Sequence, residues 1–437
     1  MKTVEGVLDF DTIDVEVDDD LIKKHSRRCT DDFLNSLCLE DGEEEFVIPD
    51  DEPPADEAPV EEGPMDEEQV NEEDGDEDES EAEFEYSTHD PNVKWNKMMP
   101  QEGESQFKDG WKEGCRRVVG LDGSFLKGQC KGELLTAIGR DPNNQVYPIA
   151  WAVVDIESKI NWTWFLRLLD ADLGMEGGRG MCVISDQHKG LLEATKDVLA
   201  YVEHRQCARH IYANFKKVYN GIELMDLFWK ASKSTVEGEF KKNMEDIGQI
   251  SPGAYAHLMA REPKTWCRDF FSTGLACEAV ENGMAECFNA MLVEARKKPL
   301  LTMLEEIRLY MMARIYNLRQ LAEKWEGDVC PAAVKKMEEF GQHLKFWYVH
   351  SSGQSAFEVR DRFESYAVNL EKRVCACRLL ELSGIPCVHA QAAIMFTGQD
   401  PRAFISSWFS KEMYIQTYSS NILPVNGSNM WHDSPFP

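Results

Sequence analysis

An aspartate in the middle of an apolar, β-branched run constrains this chain more than any other feature. The run is Val118-Val119-Gly120-Leu121-Asp122, followed by Gly123-Ser124-Phe125-Leu126-Lys127-Gly128. Flanked by glycine, it reads as a buried strand. A carboxylate there is expensive to bury unless it is paired or holds a cation. A second one, Asp186, ends the apolar run Met181-Cys182-Val183-Ile184-Ser185. Two carboxylates at the ends of neighbouring strands suit a Mg²⁺ ion of the kind used in phosphoryl chemistry. Asp155 and Glu157 compete for the same place.

Charge shows where the folded part begins. Of the formal −32 carried by 437 residues, residues 1–90 hold 36 acidic and 5 basic side chains, a net of −31. The other 347 residues hold 43 and 42, a net of −1. Runs such as Asn71-Glu72-Glu73-Asp74-Gly75-Asp76-Glu77-Asp78-Glu79 cannot bury enough apolar surface to offset their ordering entropy, so a disordered acidic tail is expected. It serves either as an inert solubiliser or as a nucleic-acid mimic or dock for basic partners, and charge runs of this kind favour the first. Thirteen cysteines follow an N-terminus, Met1-Lys2-Thr3-Val4-Glu5, without the apolar core of a secretory signal. Reduced, intracellular thiols and metal binding are therefore expected ahead of disulfides. No apolar run approaches the ~18 residues of a membrane span, so no membrane partner is expected.

Beyond residue 114 three apolar runs follow closely: Val118 to Asp122, Leu134 to Gly139 and Tyr147 to Val154. Asp141-Pro142-Asn143-Asn144 marks a turn, and the spacing predicts an antiparallel meander. A helix with Phe165, Leu168 and Leu169 on one face comes next, with Asn161 as its N-cap. The Met181–Ser185 strand and a helix bearing Leu191, Leu192, Thr195, Val198 and Leu199 complete a β-β-β-α-β-α order, a mixed sheet covered by helices. Residues 211–275 read as helical, with Trp229, Phe240 and Trp266 as core anchors. Further helices are expected near 281–295 and from Pro299 to Trp325. Alternation returns over 357–374.

A third acidic candidate lies on the helix Glu281-Asn282-Gly283-Met284-Ala285-Glu286-Cys287-Phe288-Asn289. Asn282, Glu286 and Asn289 share one face, and Met284, Phe288, Met291 and Leu292 share the other. Taken alone, such a polar face is ordinary solvent surface, and Glu278 and Glu281 compete for the role. An Asp on the first strand, an Asp ending the fourth and a Glu on a later helix describe a ribonuclease-H-like nuclease core.

At this point the chain resembles a plant Mutator-like element (MULE) transposase. The matching words are Gly114-Cys115-Arg116-Arg117 through Gly128, Ser185-Asp186-Gln187-His188-Lys189-Gly190-Leu191, Arg205-Gln206-Cys207-Ala208-Arg209-His210-Ile211-Tyr212-Ala213-Asn214-Phe215 and Ala285-Glu286-Cys287-Phe288-Asn289. They run, in order, within a resemblance covering about 107–432. The resemblance implies a D-D-E triad of Asp122, Asp186 and Glu286 holding two Mg²⁺ or Mn²⁺ ions, with the helices between Asp186 and Glu286 as an all-α insertion. Cys207 and His210 are similar to the C-x-x-H signature beside such active sites. Bottom-up they are half a zinc site with no second pair nearby, so a supporting catalytic role is expected: His210 contacting phosphate or orienting a carboxylate.

The most specific local pattern is Cys375-Ala376-Cys377, then Cys387-Val388-His389. Three thiolates and one imidazole complete a tetrahedral zinc set. A hairpin should end at the first two ligands, and Gly384-Ile385-Pro386 should turn into a helix carrying the others. This resembles a SWIM-type zinc finger, which occurs at this place in the same family. The expected organisation is an acidic region over 1–106, a ribonuclease-H-like core over 107–298 with its insertion near 211–275, a helical linker over 299–356, a SWIM finger over 357–400 and a C-terminal tail over 401–437. Tyr86-Ser87-Thr88-His89-Asp90-Pro91-Asn92-Val93-Lys94-Trp95 resembles the run-in to the family's DNA-binding region, yet Phe107-Lys108-Asp109-Gly110 follows within a few residues. That region reads as deleted, and the basic tail often found at the C-terminus is absent after Trp431. The resemblance thus implies a nuclear, transposon-derived, Mg²⁺-dependent DNA strand-cleavage and strand-transfer core that does not act autonomously. Its alternative is a domesticated transposase regulating transcription by binding DNA or protein without catalysis, and oligomerisation is left open.

A tethered polyanion competes with DNA for basic surface at high effective concentration. Deleting residues 1–90 should therefore tighten non-specific DNA binding, most at low salt where screening is weak. Equal affinity of full-length and truncated protein at every salt concentration would identify the tail as an inert solubiliser.

Overall fold

The computed structural model describes residues 105–128, 131–353, 355–426 and 430. The acidic region and Trp431 therefore lie outside the described residues, save for the last two positions of the 1–106 stretch. Helix α1 (Ser105–Gly114) leads into β1 (Val118–Phe125), β2 (Glu133–Arg140) and β3 (Val146–Val154). These three pair antiparallel, with Asp122 opposite Thr136, as the turn spacing predicts. Asn144 closes the β2–β3 turn at φ 61°, a left-handed conformation that asparagine tolerates better than most side chains.

Helix α2 (Lys159–Leu173), β4 (Cys182–Ser185), α3 (Lys189–Val198) and β5 (Glu203–Gln206) complete the first unit. β4 runs parallel to β1, β5 runs parallel to β4, and the strand order is β3-β2-β1-β4-β5. β1 is thus central and covered on both faces, which explains its nearly unbroken apolar run. A Cβ on Gly120 would stand 2.3 Å from Asn282 Oδ1, and one on Gly123 would stand 2.6 Å from Glu157 Oε2, on the opposite face. Two details differ from expectation. The N-cap of α2 is Ser158, which accepts from Asn161 N–H at 3.3 Å, while the Asn161 amide is already donating to Asp155 Oδ1 and Ile156 O. Strand β5, Glu203-His204-Arg205-Gln206, has no apolar signature at all. It is stabilised by burying Arg205 against Glu203 at 2.6 Å and over the Phe271 ring at 3.9 Å.

Four helices follow: α4 (Ala208–Lys216), α5 (Ile222–Lys233), α6 (Glu237–Ile250) and α7 (Pro252–Met259). They enclose their own core of Phe215, Phe228, Phe240, Met244 and Trp266, with Phe228 stacked on Trp266 at 5.5 Å, while Trp229 is only partly buried. The chain then returns through α8 (Gly283–Met291) to the sheet. Helix α9 (Leu300–Glu323), in the stretch expected to be a linker, lays Met303, Ile307, Met311, Ile315 and Leu318 into the same core as β1 and β2. After α10 (Pro331–Phe340), strands β6 (Tyr348–Gly353), β7 (Ala356–Arg360), β8 (Ser365–Asn369) and β9 (Val374–Cys375) form a separate antiparallel sheet in chain order. Helices α11 (Leu379–Ser383) and α12 (Val388–Phe396) follow it, and α13 (Lys411–Thr417) packs on α1. Among the described residues no helix is long and apolar enough to cross a membrane.

Asp141 ties the far end of this chain to the meander. Fully buried at the β2–β3 turn, it accepts from Gln145 N–H and from the Tyr418 hydroxyl, each at 2.8 Å. Burial pushes its carboxyl up to about 6, although both hydrogen bonds oppose the rise. A pKa raised on folding contributes stability that is fully present below about 4 and is lost as pH rises through about 6. Replacing it by asparagine removes that titration. The unfolding free energy of wild type relative to Asp141→Asn should therefore fall by up to about 3 kcal/mol between pH 4 and pH 7. A difference that stays constant across that range in urea titrations would contradict this account.

Candidate functional site

The central strand delivers Asp122 to the point where β1 leaves the core, and it is nearly enclosed there. Its Oδ2 accepts from Asn289 Nδ2 at 2.7 Å, and its backbone carbonyl accepts from the Thr136 hydroxyl at 3.1 Å. Burial raises the Asp122 carboxyl well above the usual range. Asp186 raises it further, the Asn289 hydrogen bond lowers it, and Glu286 and Glu157 raise it again. Asp186 follows β4, the parallel neighbour of β1, and its Oδ1 accepts from His188 N–H at 3.0 Å. Four acidic groups thus act on one another at the end of the sheet, an arrangement that a bound cation would relieve.

Helix α8 supplies the third wall. Its polar stripe is not solvent surface: Asn282 and Asn289 are buried, and Asn282 Nδ2 donates to Leu121 O at 2.9 Å. Glu286, between them on the same face, is drawn toward α4. Arg209 bridges it at 3.1 Å to Glu281 at 3.0 Å. Glu286, Cys207 and His210 have ligand atoms within 4.8 Å of one another, whereas Asp122 and Asp186 are not in that set. Cys207 starts α4, its sulfur accepts from Asn282 N–H at 3.2 Å, and burial together with nearby Glu286 pushes its thiol up to about 12. It is therefore a protonated, packed thiol. Glu278 is buried apart in an ion pair with Lys336, and against the cost of burial Lys336 and Arg268 hold its carboxyl well below the usual range.

Two further side chains belong to this region. Glu157, beside Gly123, accepts from Trp162 Nε1 at 2.8 Å and lies 3.2 Å from His188 Nδ1. Its claim by position was legible in the sequence, unlike the roles of Asn289 and Arg209. The i, i+4, i+7 stripe is the only sequence signal for Asn289, and nothing in the pattern around Cys207 and His210 singles out Arg209.

The second centre lies between the small sheet and α12. Cys375, Cys377, Cys387 and His389 are all buried, with ligand atoms within 4.8 Å of one another. His389 Nδ1 stands 3.7 Å from Cys375 Sγ and 3.9 Å from Cys387 Sγ. Bonds of ~2.3 Å to sulfur and ~2.0 Å to nitrogen around a tetrahedral ion put those atoms about 3.5 Å apart, so the set fits zinc. The hairpin β8–β9 ends at Cys375, and Cys387 caps α12 by accepting from Ala390 N–H at 3.4 Å. Burial lowers the His389 imidazole to about 4, which keeps it in the neutral form that a metal needs. Its ring stacks on Tyr366 at 4.0 Å and meets the edge of Trp347 at 4.3 Å.

Comparison with known families separates the two centres in the same way. Residues 118–214 match the family model of the MULE transposase domain. Residues 366–397 match the SWIM zinc finger. The first match spans Asp122, Asp186, Cys207 and His210, and it supports a transposase-derived chain. Glu286 lies beyond it. The second spans all four zinc ligands. No curated protein matches the chain.

Metal analysis of the purified SWIM-bearing protein should return one tightly held zinc per chain. In Cys375→Ser it should be lost, and thermal unfolding of the β6–β9 region should shift down, because structural zinc contributes folding energy directly. Equal zinc content in the two proteins would remove the site.

Proposed function

We propose that the chain is a transposon-derived, metal-dependent DNA strand-cleaving and strand-joining protein on a ribonuclease-H-like sheet, acting in the nucleus. The observation that carries this reading is Asp122, a half-buried carboxylate on the central strand of the β3-β2-β1-β4-β5 sheet, raised chiefly by desolvation and by Asp186 at the end of the adjacent parallel strand. Asp122, Asp186 and Glu286 are the residues that would hold Mg²⁺ or Mn²⁺. Such ions activate water or a 3′-hydroxyl and stabilise the leaving oxygen.

The rest is work for the chain's own side chains. Asn289 orients Asp122 by donating to its Oδ2. Arg209 anchors Glu286 against α4, so its carboxylate has one oxygen committed to a cation of the protein before any substrate arrives. His210, on the same turn as Arg209, would contact a phosphate oxygen or orient Glu286, a role supported by its ring nitrogen lying within 4.8 Å of the Glu286 carboxylate. The zinc finger would hold DNA or a partner protein beside this core.

Nicking of supercoiled DNA should require Mg²⁺ or Mn²⁺ and should be abolished in Asp122→Ala and Asp186→Ala. Asn289→Ala, which removes the orienting bond to Asp122 together with the one accepted from the Ser124 hydroxyl, should lower the rate about 10- to 100-fold and raise the metal concentration needed. Wild-type protein that binds DNA but never nicks it would leave a non-catalytic, DNA-binding regulator as the function.

A further inference from the structure

The end of β1 carries an aromatic ring that the fold does not use. Phe125 closes the strand three residues beyond Asp122 and is 71% exposed. Its backbone is nonetheless firmly held. Its carbonyl accepts from Arg296 Nη1 at 2.8 Å, and the same guanidinium donates through Nη2 to Asn289 O at 3.1 Å. Since Asn289 also donates to Asp122, one buried arginine fixes Phe125 to the helix that lines the carboxylates.

The chain on either side adds positive charge. Lys127 N–H donates to Arg296 O at 2.9 Å, and a Cβ on Gly128 would stand 2.6 Å from Lys297 O. Segments 125–128 and 295–298 therefore lie side by side. They bring together Lys127, Lys297 and Lys298, with Lys131 exposed at the start of the return toward β2. Among the described residues, Glu294 pairs with Lys297 at 2.8 Å, both largely exposed, and Glu306 pairs with Lys298. The exposed Glu294–Lys297 pair is weak in water and yields to a phosphate, whereas the Glu306–Lys298 pair is half-buried and holds its lysine more firmly. Glu133, opposite Phe125 in register, is buried.

A lone ring among lysines, continuous with a carboxylate site, suits a strand that presents both phosphates and an open base face. The geometry points to a strand-binding ridge in which Phe125 stacks on an unpaired base of a DNA strand whose phosphates follow Lys127, Lys131, Lys297 and Lys298 toward Asp122. A duplex offers the phosphates but hides the base faces, so the ridge selects unpaired DNA over paired. This inference rests on the reading of the site as one that acts on DNA.

The test is binding of a mixed-sequence single strand of about 20 nucleotides, and of its duplex, by full-length zinc-loaded protein. Phe125→Ala should weaken binding of the single strand about 5- to 100-fold, the span of one base–aromatic stack, and should change duplex binding far less. The double variant Lys127→Glu with Lys131→Glu should flatten the salt dependence for the single strand by about 1.4 log units per decade, as for two lost phosphate contacts. Tyr316→Ala, which removes a ring that is 61% exposed on α9, two residues from the Arg314 bond to Val146 O at the far end of the sheet, should leave both affinities unchanged. A single strand bound equally by wild type and Phe125→Ala overturns the ridge while leaving the proposed function in place. Wild-type protein that binds neither probe overturns both.

Discussion

The hydrogen bond from Asn289 to Asp122, 2.7 Å long, is the contact on which the arrangement of the site depends. It joins the most central strand of the sheet to a helix that lies about 165 residues further along the chain, after the whole helical insertion. A buried carboxylate without such a donor would be costly in this position. With it, α8 is held against β1, and Asn282 repeats the attachment about two turns earlier through Leu121 O. Gly120 has no side chain because the Asn282 amide occupies that space.

This attachment has an electrostatic consequence. Asp186, Glu286 and Glu157 each repel Asp122, Asp186 also repels Glu157, and the protein offsets the repulsion piecemeal. Asn289 donates to Asp122, Trp162 and His188 face Glu157, and Arg209 takes Glu286. Arg209 is also why Glu286 groups with Cys207 and His210 in this structure and not with the two aspartates. A cation of the protein and a divalent ion would compete for the same carboxylate, which makes Arg209 as consequential for the site as any of the acids.

The zinc centre obeys different physics. Its ligands come from one short stretch, and nothing distant is needed to assemble them. Aromatic contacts from Trp347 and Tyr366 orient the imidazole, and the helix start at Cys387 places two ligands in a single turn. The ligand geometry is local, while Arg378 and Leu382 between the two ligand pairs tie the finger to the helical insertion.

That difference decides what could be read from the residues alone. The zinc set was legible because its four ligands are close in sequence and chemically specific. The antiparallel meander was legible because apolar runs separated by a clear turn leave little freedom of pairing. Asp122 and Asp186 stood out as charges in apolar text. What only the tertiary structure decided was the content of the polar stripe on α8, which is buried and bonded to β1 where an isolated helix would leave it in water. The same holds for β5, whose arginine is made tolerable by Glu203 and the Phe271 ring, and for α9, whose partners are strands far away in the chain. Sequence determines local periodicity and the identity of the chemical groups. Which polar group is buried, and beside which charge, is set by contacts between residues that no local pattern connects.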